Sequence, residues 1–119
     1  MMHKILIVDD EPNILLALEF LFKKEGYEVY IARDGEEAMG IIDEKHPNLV
    51  ILDIMMPKVD GYEVCKHIKS LHGEIKIIFL TAKTKQSDIE KGKDLGADLY
   101  LTKPFSNKEL IHKIKVLIT

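Results

Sequence analysis

Short apolar runs recur along the chain and alternate with longer stretches whose apolar residues follow helical spacing. Three runs, with the sequences ILIV, LVIL and IIFL, are apolar at every position, which is typical of strands buried on both faces of a parallel sheet. Two others are more mixed, as expected nearer a sheet edge. The pattern predicts five strands, at Lys4–Val8, Glu28–Ala32, Leu49–Leu52, Lys76–Leu80 and Leu99–Leu101.

A helix is predicted after each strand, because helix-starting residues follow each run. Asp10 is the predicted cap of the first helix, with Pro12 in its opening turn. Gly26, Gly73 and Gly96 are predicted to end helices in the left-handed conformation. Capping side chains followed three residues later by glutamate predict the other four starts: Asp34 with Glu37, Asp60 with Glu63, Ser87 with Glu90, and Ser106 with Glu109.

Alternating strands and helices with short connections form a parallel sheet with right-handed crossovers and helices on both faces. Five such units fit in 119 residues as one domain. We therefore expect residues 1–119 to form an α/β three-layer sandwich of five parallel strands and five helices. The chain shows no internal repeat, low-complexity segment or interdomain linker.

Composition narrows the classes of function. The chain is 46% hydrophobic with a net charge of −3, so no overall charge attracts it to nucleic acid or anionic lipid. The apolar runs are far shorter than the roughly 20 residues of a membrane-spanning helix. The lone Cys65 cannot form an internal disulfide, and the amino terminus leads directly into a strand, so we expect a cytoplasmic protein.

The histidines show no metal-binding spacing and are interpreted as surface residues: His3, His46, His67, His72 and His112.

Charged or hydroxyl side chains follow the ends of four predicted strands. Asp9 and Asp10 follow the first strand, Asp53 the third, Thr81 the fourth and Lys103 the fifth. Ligands of open α/β sheets bind beyond these carboxyl ends, so the five side chains are expected to share one edge. Clustered carboxylates repel one another unless a cation lies among them, and Mg²⁺ prefers such oxygen ligands. A magnesium site is therefore predicted, although Asp10 alone is equally consistent with a helix cap.

The charges of this edge favour a phosphoryl acceptor. Asp53 is the predicted nucleophile, because aspartate can form an acyl phosphate. Asp9 and Asp10 are predicted to hold the metal. Thr81 can donate to one phosphoryl oxygen and Lys103 can pair with another. Catalysis in such a site consists mostly of alignment and charge stabilisation.

Four segments carry a resemblance to a known family. The sequence resembles the receiver domains of bacterial two-component response regulators, which are CheY-like. The resemblance covers essentially the whole chain and includes all five site residues. Its segments are ILIVDDEP (Ile5–Pro12), LVILDIMMPKVDG (Leu49–Gly61), IIFLTA (Ile77–Ala82) and GADLYLTKPF (Gly96–Phe105).

The resemblance implies a flavodoxin-like/CheY-like fold with the strand order 2-1-3-4-5. It also implies that the backbone carbonyl of Met55 completes the shell of Mg²⁺ (or Mn²⁺) and that the Lys103–Pro104 peptide is cis. The phosphoryl group would come from a sensor histidine kinase or a histidine phosphotransfer protein. We expect a signalling switch that catalyses only its own phosphorylation and dephosphorylation, rather than an enzyme with a separate substrate.

Phosphorylation can act as a signal only if it changes the conformation of the domain. Thr81 can turn toward a phosphoryl oxygen, and the resemblance implies that Tyr100 then moves inward and reshapes the face of the fourth helix, fifth strand and fifth helix, where an effector would bind. Tyr100 is also compatible with a plain edge-strand aromatic. Ile14 and Pro104 are candidates for docking the phosphodonor, although sheet packing alone can bury Ile14. Met55 and Lys83 lie two residues beyond Asp53 and Thr81 and are expected to tune the lifetime of the acyl phosphate.

Two other functions fit the fold less well. A phosphatase of the haloacid dehalogenase type needs a second acid two residues after the nucleophile, where this chain has Met55. A flavodoxin-like cofactor protein needs a glycine- or hydroxyl-rich phosphate loop after the first strand, where this chain has Asp9-Asp10-Glu11-Pro12. Two carboxylates at that position would repel a phosphate that lacks a metal.

The sequence leaves the output open between a stand-alone regulator and the receiver part of a longer, DNA-binding protein. In either case this domain itself is not expected to bind nucleic acid or membrane. It is expected to be a monomer or a phosphorylation-dependent homodimer. Leu99 and Lys113 stand where dimerising relatives usually have an acidic residue and arginine. Lysine lacks the bidentate fork of arginine, so this pairing would be weaker.

Overall fold

The computed structural model describes residues 2–118, so the two terminal residues of the expected 1–119 domain lie outside the description. Five strands alternate with five helices along the chain. Their bounds are β1 (Lys4–Val8), α1 (Pro12–Lys24), β2 (Glu28–Ala32), α2 (Gly35–Lys45), β3 (Leu49–Leu52), α3 (Gly61–Leu71), β4 (Lys76–Thr81), α4 (Gln86–Asp94), β5 (Leu99–Thr102) and α5 (Asn107–Ile118).

All four strand pairings are parallel, and the strand order is β2-β1-β3-β4-β5. The α/β class and the implied order are both confirmed. The strands β1, β3 and β4 are almost wholly buried, whereas β2 and β5 are half-buried at the edges, as their mixed composition predicted. The fourth and fifth strands each extend one residue further than predicted, to Thr81 and Thr102.

The core consists of two layers, one on each face of the sheet. Alternate residues of each central strand point to opposite faces, so the continuous apolar runs supply both layers. Leu15, Leu18 and Phe22 of α1, together with the buried face of α5, cover one face. The other face is covered by α2 and α3, where Cys65 is fully buried and its Sγ lies 3.7 Å from the Leu95 carbonyl oxygen.

Three of the predicted helix starts are confirmed by their capping contacts. The backbone N–H groups of Glu37, Glu63 and Glu109 donate to the side chains of Asp34, Asp60 and Ser106, respectively, at 2.8 to 3.3 Å. Gly26 and Gly96 are left-handed, with φ of 92° and 98°, as predicted for helix ends.

Three other helix boundaries were predicted incorrectly. Glu11, not Asp10, occupies the N-cap of α1, because the Asp9 side chain already accepts the Glu11 N–H in a tight local turn. The helix α4 begins at Gln86 after Lys85, which places Ser87 inside its first turn. The helix α3 ends at Leu71, and its C-cap His72 has φ of −141° and ψ of 57°, so no left-handed Gly73 terminates it.

Candidate functional site

Two carboxylates are buried at the carboxyl ends of neighbouring strands. Asp9 follows β1 and Asp53 follows β3, and their exposed fractions are only 2% and 6%. Their backbone N–H groups extend the sheet hydrogen bonding by one residue, since Asp53 donates to Val8 and Asp9 donates to Ala32. Parallel pairing of β1 with β3 therefore fixes the two carboxylates next to each other, as the strand-end prediction required.

Lys103 reaches this pair from the loop after β5. Its Nζ lies 2.7 Å from Oδ2 of Asp9, 3.1 Å from Oε1 of Glu11 and 3.6 Å from Oδ2 of Asp53. The Lys103–Pro104 peptide is cis, as predicted. Glu11 was not predicted to belong to the site. Its position directly after two aspartates was the feature of the sequence that could have indicated this.

Burial and the contact between Asp9 and Lys103 shift the pKa of each of these two groups in opposite directions. Burial raises the pKa of Asp9 above its usual value, and the Asp53 charge adds to this, while the Lys103 hydrogen bond partly opposes it. Burial alone would lower the pKa of Lys103. The hydrogen bond to Asp9 and the charge of Asp53 outweigh that effect and raise it. Lys103 therefore stays charged, and the excess of negative charge favours a further cation.

The donor atoms fit a hard divalent cation. Asp9, Asp10, Glu11 and Asp53 each offer a carboxylate oxygen, and these four atoms all lie within 4.8 Å of one another. Asp10 and Glu11 are exposed while the other two are buried, so the cluster opens to solvent on one side. An all-oxygen set with a solvent opening suits Mg²⁺, which keeps several of its waters.

The carboxyl group of Asp53 is held in one orientation. Its Oδ1 accepts the backbone N–H of Ile54 at 2.8 Å, so Oδ2 is the oxygen on the Lys103 side. Gly61 begins α3 directly against this segment and donates its N–H to the Ile54 carbonyl at 2.9 Å. A Cβ at Gly61 would lie 2.1 Å from the Asp53 carbonyl oxygen, which is shorter than any real contact. The structural role of Gly61 was not anticipated from the sequence.

Thr81 and Tyr100 are linked through the loop between β4 and α4. Thr81 is 1% exposed, and its Oγ1 lies 3.4 Å from the N–H of Lys83. The Tyr100 hydroxyl donates to the carbonyl oxygen of the same Lys83 at 3.1 Å. Tyr100 is half-buried against Phe79, and burial raises its pKa to about 12. Thr81 and Tyr100 therefore contact the same residue of this loop, through the backbone of Lys83.

The other predicted site residues differ in their exposure. Met55 is 63% exposed and lines the same shallow depression as Lys83. Ile14 is a half-buried residue in the first turn of α1, and Pro104 is exposed in the loop after β5. No contact of the Met55 carbonyl with a site residue is among the described interactions, so its predicted metal contact stays a prediction.

The interpretation of the histidines as scattered was wrong for His46, His67 and His72, whose rings lie together. The exposure predicted for His46 and His112 is confirmed. His67 and His72 both place Nε2 2.8 Å from Oδ1 of Asp43 on the neighbouring helix. The ring of His46 packs edge-on against His72, with ring centroids 5.2 Å apart. Sequence spacing hid this group because its members come from two helices and a helix-ending loop.

Comparison with known proteins identifies the family of this arrangement. Residues 5–115 match the family model described as the response regulator receiver domain. None of the helices in residues 2–118 has the length and apolar composition that crossing a bilayer requires.

Solved structures agree with this match. A CheY-like receiver domain protein of Methanospirillum hungatei is 33% identical with a TM-score of 0.94, over 98% of this chain and 93% of that one. The response regulator TrrA of Thermotoga maritima, solved in complex with Mg²⁺-BeF, is 43% identical with a TM-score of 0.88, over 98% and 99%. DrrB of Thermotoga maritima, an OmpR/PhoB homologue, is 36% identical with a TM-score of 0.88, over 97% of this chain but 52% of that one. The chain described here belongs to the response regulator receiver domain family of two-component signal transduction.

Proposed function

We propose that this chain is a phosphoacceptor switch that takes a phosphoryl group onto Asp53 from a sensor histidine kinase or a histidine phosphotransfer protein. The observation that carries the proposal is the setting of the Asp53 carboxylate. One oxygen is fixed by the Ile54 N–H at 2.8 Å, and the other faces the Lys103 ammonium at 3.6 Å. A buried nucleophile of fixed orientation beside a permanent cation suits phosphoryl transfer, which depends on alignment and charge stabilisation.

The transfer is an exchange of one bond to phosphorus for another. Oδ2 of Asp53 forms the new P–O bond as the P–N bond of the donor phosphohistidine breaks, and the electron pair of that bond leaves with the imidazole nitrogen. Lys103 stabilises the charge on the equatorial oxygens, and Thr81 donates its hydroxyl proton in a hydrogen bond to one of them. Dephosphorylation is a separate step, in which a water oxygen attacks the phosphorus, the bond between phosphorus and Oδ2 breaks, and inorganic phosphate leaves as the Asp53 carboxylate is restored. The chain thus catalyses only its own modification.

The residues present fit Mg²⁺ (or Mn²⁺) as the partner of this step. Asp9, Asp10 and Asp53 would hold the ion, with the Met55 carbonyl as a further oxygen ligand, and Glu11 lies close enough to contribute. When bound, the ion neutralises the carboxylates and the incoming phosphoryl oxygens. Lys103 occupies this region through its contacts with Asp9 and Glu11, so its side chain is expected to give up the Glu11 contact when the pocket is loaded.

The readout is proposed to pass from Thr81 to Tyr100. Reorientation of the Thr81 hydroxyl toward a phosphoryl oxygen breaks its contact with the Lys83 N–H, and the Tyr100 hydroxyl is bound to the carbonyl of that same residue. A cavity between α4, β5 and α5 is lined by Tyr100, Pro104 and Phe105. This α4-β5-α5 face is the proposed site of effector binding or of phosphorylation-dependent homodimer formation.

Ile14 and Pro104 are proposed to dock the phosphodonor, beside the entrance to the acidic pocket. Two further apolar side chains of α1, Leu16 and Phe20, are 63% and 72% exposed, which supports an apolar contact along this helix. Met55 and Lys83 are proposed to set the lifetime of the acyl phosphate, because both line the depression next to Asp53. Their side chains would control how water approaches the phosphorus.

Incubation with Mg²⁺ and acetyl phosphate, followed by intact mass measurement, tests the proposal. We expect one added phosphoryl group in the wild type, and none in Asp53→Ala or in the presence of a chelator. Lys83→Ala is the matched control that should still be labelled, with an altered decay rate. A wild-type mass that stays unchanged while a known receiver is labelled in parallel would overturn the proposed function.

A further inference from the structure

Three side chains with metal-binding atoms meet between α2 and α3, away from the acidic pocket. Asp43 lies near the end of α2, His67 in the last two turns of α3, and His72 at its C-cap. One ligand atom from each residue lies within 4.8 Å of the other two. Both helices end here and lead into the amino ends of β3 and β4, so this cluster lies at the opposite end of the sheet from Asp53.

Local backbone geometry brings the two histidines together. Residues five apart in a regular helix point in directions about 140° apart, so His67 and His72 would diverge if α3 continued. The helix instead ends at Leu71, and the non-helical backbone of His72, with φ of −141° and ψ of 57°, places its ring beside His67. The two ring centroids are 6.2 Å apart, and His46 packs against the outer side of His72.

The arrangement is unusual for a simple hydrogen-bonded surface group. Both Nε2 atoms converge on a single oxygen, Oδ1 of Asp43, at 2.8 Å each. The histidine side chains are only 21% and 14% exposed, while Asp43 is half-exposed. The nitrogens are therefore preorganised, and one side of the cluster is open for an ion to enter with water.

We propose that Asp43, His67 and His72 form a second metal site, which binds Zn²⁺ through two imidazole nitrogens and one carboxylate oxygen. Two imidazoles and a carboxylate, with water in the fourth position, are a ligand set that Zn²⁺ accepts in tetrahedral geometry. Imidazole ligands favour Zn²⁺ and related transition ions over Mg²⁺, so the two sites of this chain select different metals. The bound ion crosslinks α2 to the end of α3.

Calorimetric titration with zinc chloride tests the site, in phosphate-free buffer with millimolar Mg²⁺ to occupy the acidic pocket. We expect one Zn²⁺ per chain with a Kd on the order of micromolar. The double variant His67→Gln/His72→Gln should bind at least about 100-fold more weakly, because loss of outer-shell partners alone costs 10–100-fold. His112→Gln, which replaces an exposed histidine on α5, is the matched control and should bind within about twofold of wild type.

Two further measurements separate this site from the acidic pocket and from a folding defect. Asp53→Asn should keep the Zn²⁺ site, and Zn²⁺ at 100 times its Kd should raise the Tm of the wild type by about 10 °C. His72→Gln alone should lose most of this rise while retaining labelling by acetyl phosphate, which confirms its fold. Wild type that binds no Zn²⁺ below about 1 mM, or binding that the double variant retains, would overturn the proposal.

Discussion

Gly61 lies too close to the Asp53 backbone for any side chain to fit. The start of α3 lies so close to the Asp53 backbone that a methyl group on Gly61 would overlap the Asp53 carbonyl oxygen at 2.1 Å. That obstacle is backbone, which cannot move aside as a flexible side chain can. The orientation of the Asp53 carboxylate therefore depends on the absence of a side chain at the start of the following helix.

Gly61→Ala is expected to destabilise the protein by about 2–3 kcal/mol and to slow phosphorylation, because α3 must move away from Asp53. Gly40→Ala provides a matched control, since a Cβ at Gly40 in α2 meets no atom within 4 Å. That variant should gain about 0.5–1 kcal/mol from helix propensity. Urea unfolding and acetyl phosphate labelling measure both effects. Equal stability of the two variants would contradict the proposed steric overlap between a side chain at position 61 and the Asp53 backbone.

Asp9 carries a cost in folding free energy, because a charged group is buried. Its carboxylate is buried, and burial raises its pKa even though Lys103 contacts it. A cation that binds only the folded chain offsets this cost and stabilises the protein by mass action.

Mg²⁺ at 100 times its Kd is therefore expected to add about 2.7 kcal/mol to the free energy of unfolding, and a chelator should remove that gain. Asp9→Asn should lose most of the Mg²⁺ effect, because it removes the most buried carboxylate of the cluster. Urea denaturation with and without Mg²⁺ measures the difference between the two proteins. A gain of the same size in Asp9→Asn would exclude Asp9 as a ligand.

The packing of α4 on β5 depends on one glycine and one aromatic ring. Gly92 is buried, and a Cβ there would lie 3.0 Å from the Tyr100 ring and 3.1 Å from Phe79. The Tyr100 hydroxyl in turn holds the Lys83 carbonyl. The position of α4 is thus coupled to the ring that is proposed to report phosphorylation.

Gly92→Ala is expected to displace the Tyr100 ring and weaken its hydrogen bond to Lys83. Amide NMR shifts should change in α4, β5 and the Lys83 loop, while acetyl phosphate still labels Asp53. Tyr100→Phe, which removes only the hydroxyl, should cost about 1 kcal/mol and perturb the same loop. Unchanged shifts around Lys83 in both variants would show that the ring and the loop are not coupled.

Elements were easier to predict than their ends. Continuous apolar runs gave the central strands correctly, because burial on both faces leaves no polar position to confuse the pattern. The predicted first residues of α1 and α4 were wrong, although each segment contains a capping side chain. At α1 the turn formed by Asp9 moved the cap to Glu11, and at α4 the helix began before Ser87. Such choices depend on local hydrogen bonds that differ by only about 1 kcal/mol.

Across the whole molecule, topology decided which site residues could be predicted. Asp9, Asp53 and Lys103 follow strands, and the parallel sheet brings all strand ends to one edge, so their meeting followed from the pattern. The cluster of His67, His72 and Asp43 lies on helix surfaces, where pairing depends on the angle between helices and on how α3 ends. Neither property can be read from the spacing of residues in the sequence.

Cys65 links global stability to alkaline pH. Burial raises its pKa from 9.0 to about 11, so the folded chain keeps the thiol proton more tightly than the unfolded chain. Its contribution to stability is therefore complete below pH 9 and is lost as the pH rises toward 11. The stability advantage of wild type over Cys65→Ala should fall by about 1 kcal/mol between pH 8 and pH 10 in urea titrations. A constant difference would contradict the raised pKa.

The same thiol has a practical consequence for following motion in solution. Cys65 is the only cysteine of the chain. Its side chain is fully buried, and its sulfur contacts the carbonyl oxygen of Leu95 at the end of α4. An alkylating reagent can reach it only when the packing around Cys65 opens. The ratio of the observed rate to that of a free thiol therefore measures the fraction of open molecules. The rate of Cys65 alkylation thus reports local opening near the proposed output face. It can be compared between the resting and phosphorylated states without engineering another cysteine into the chain.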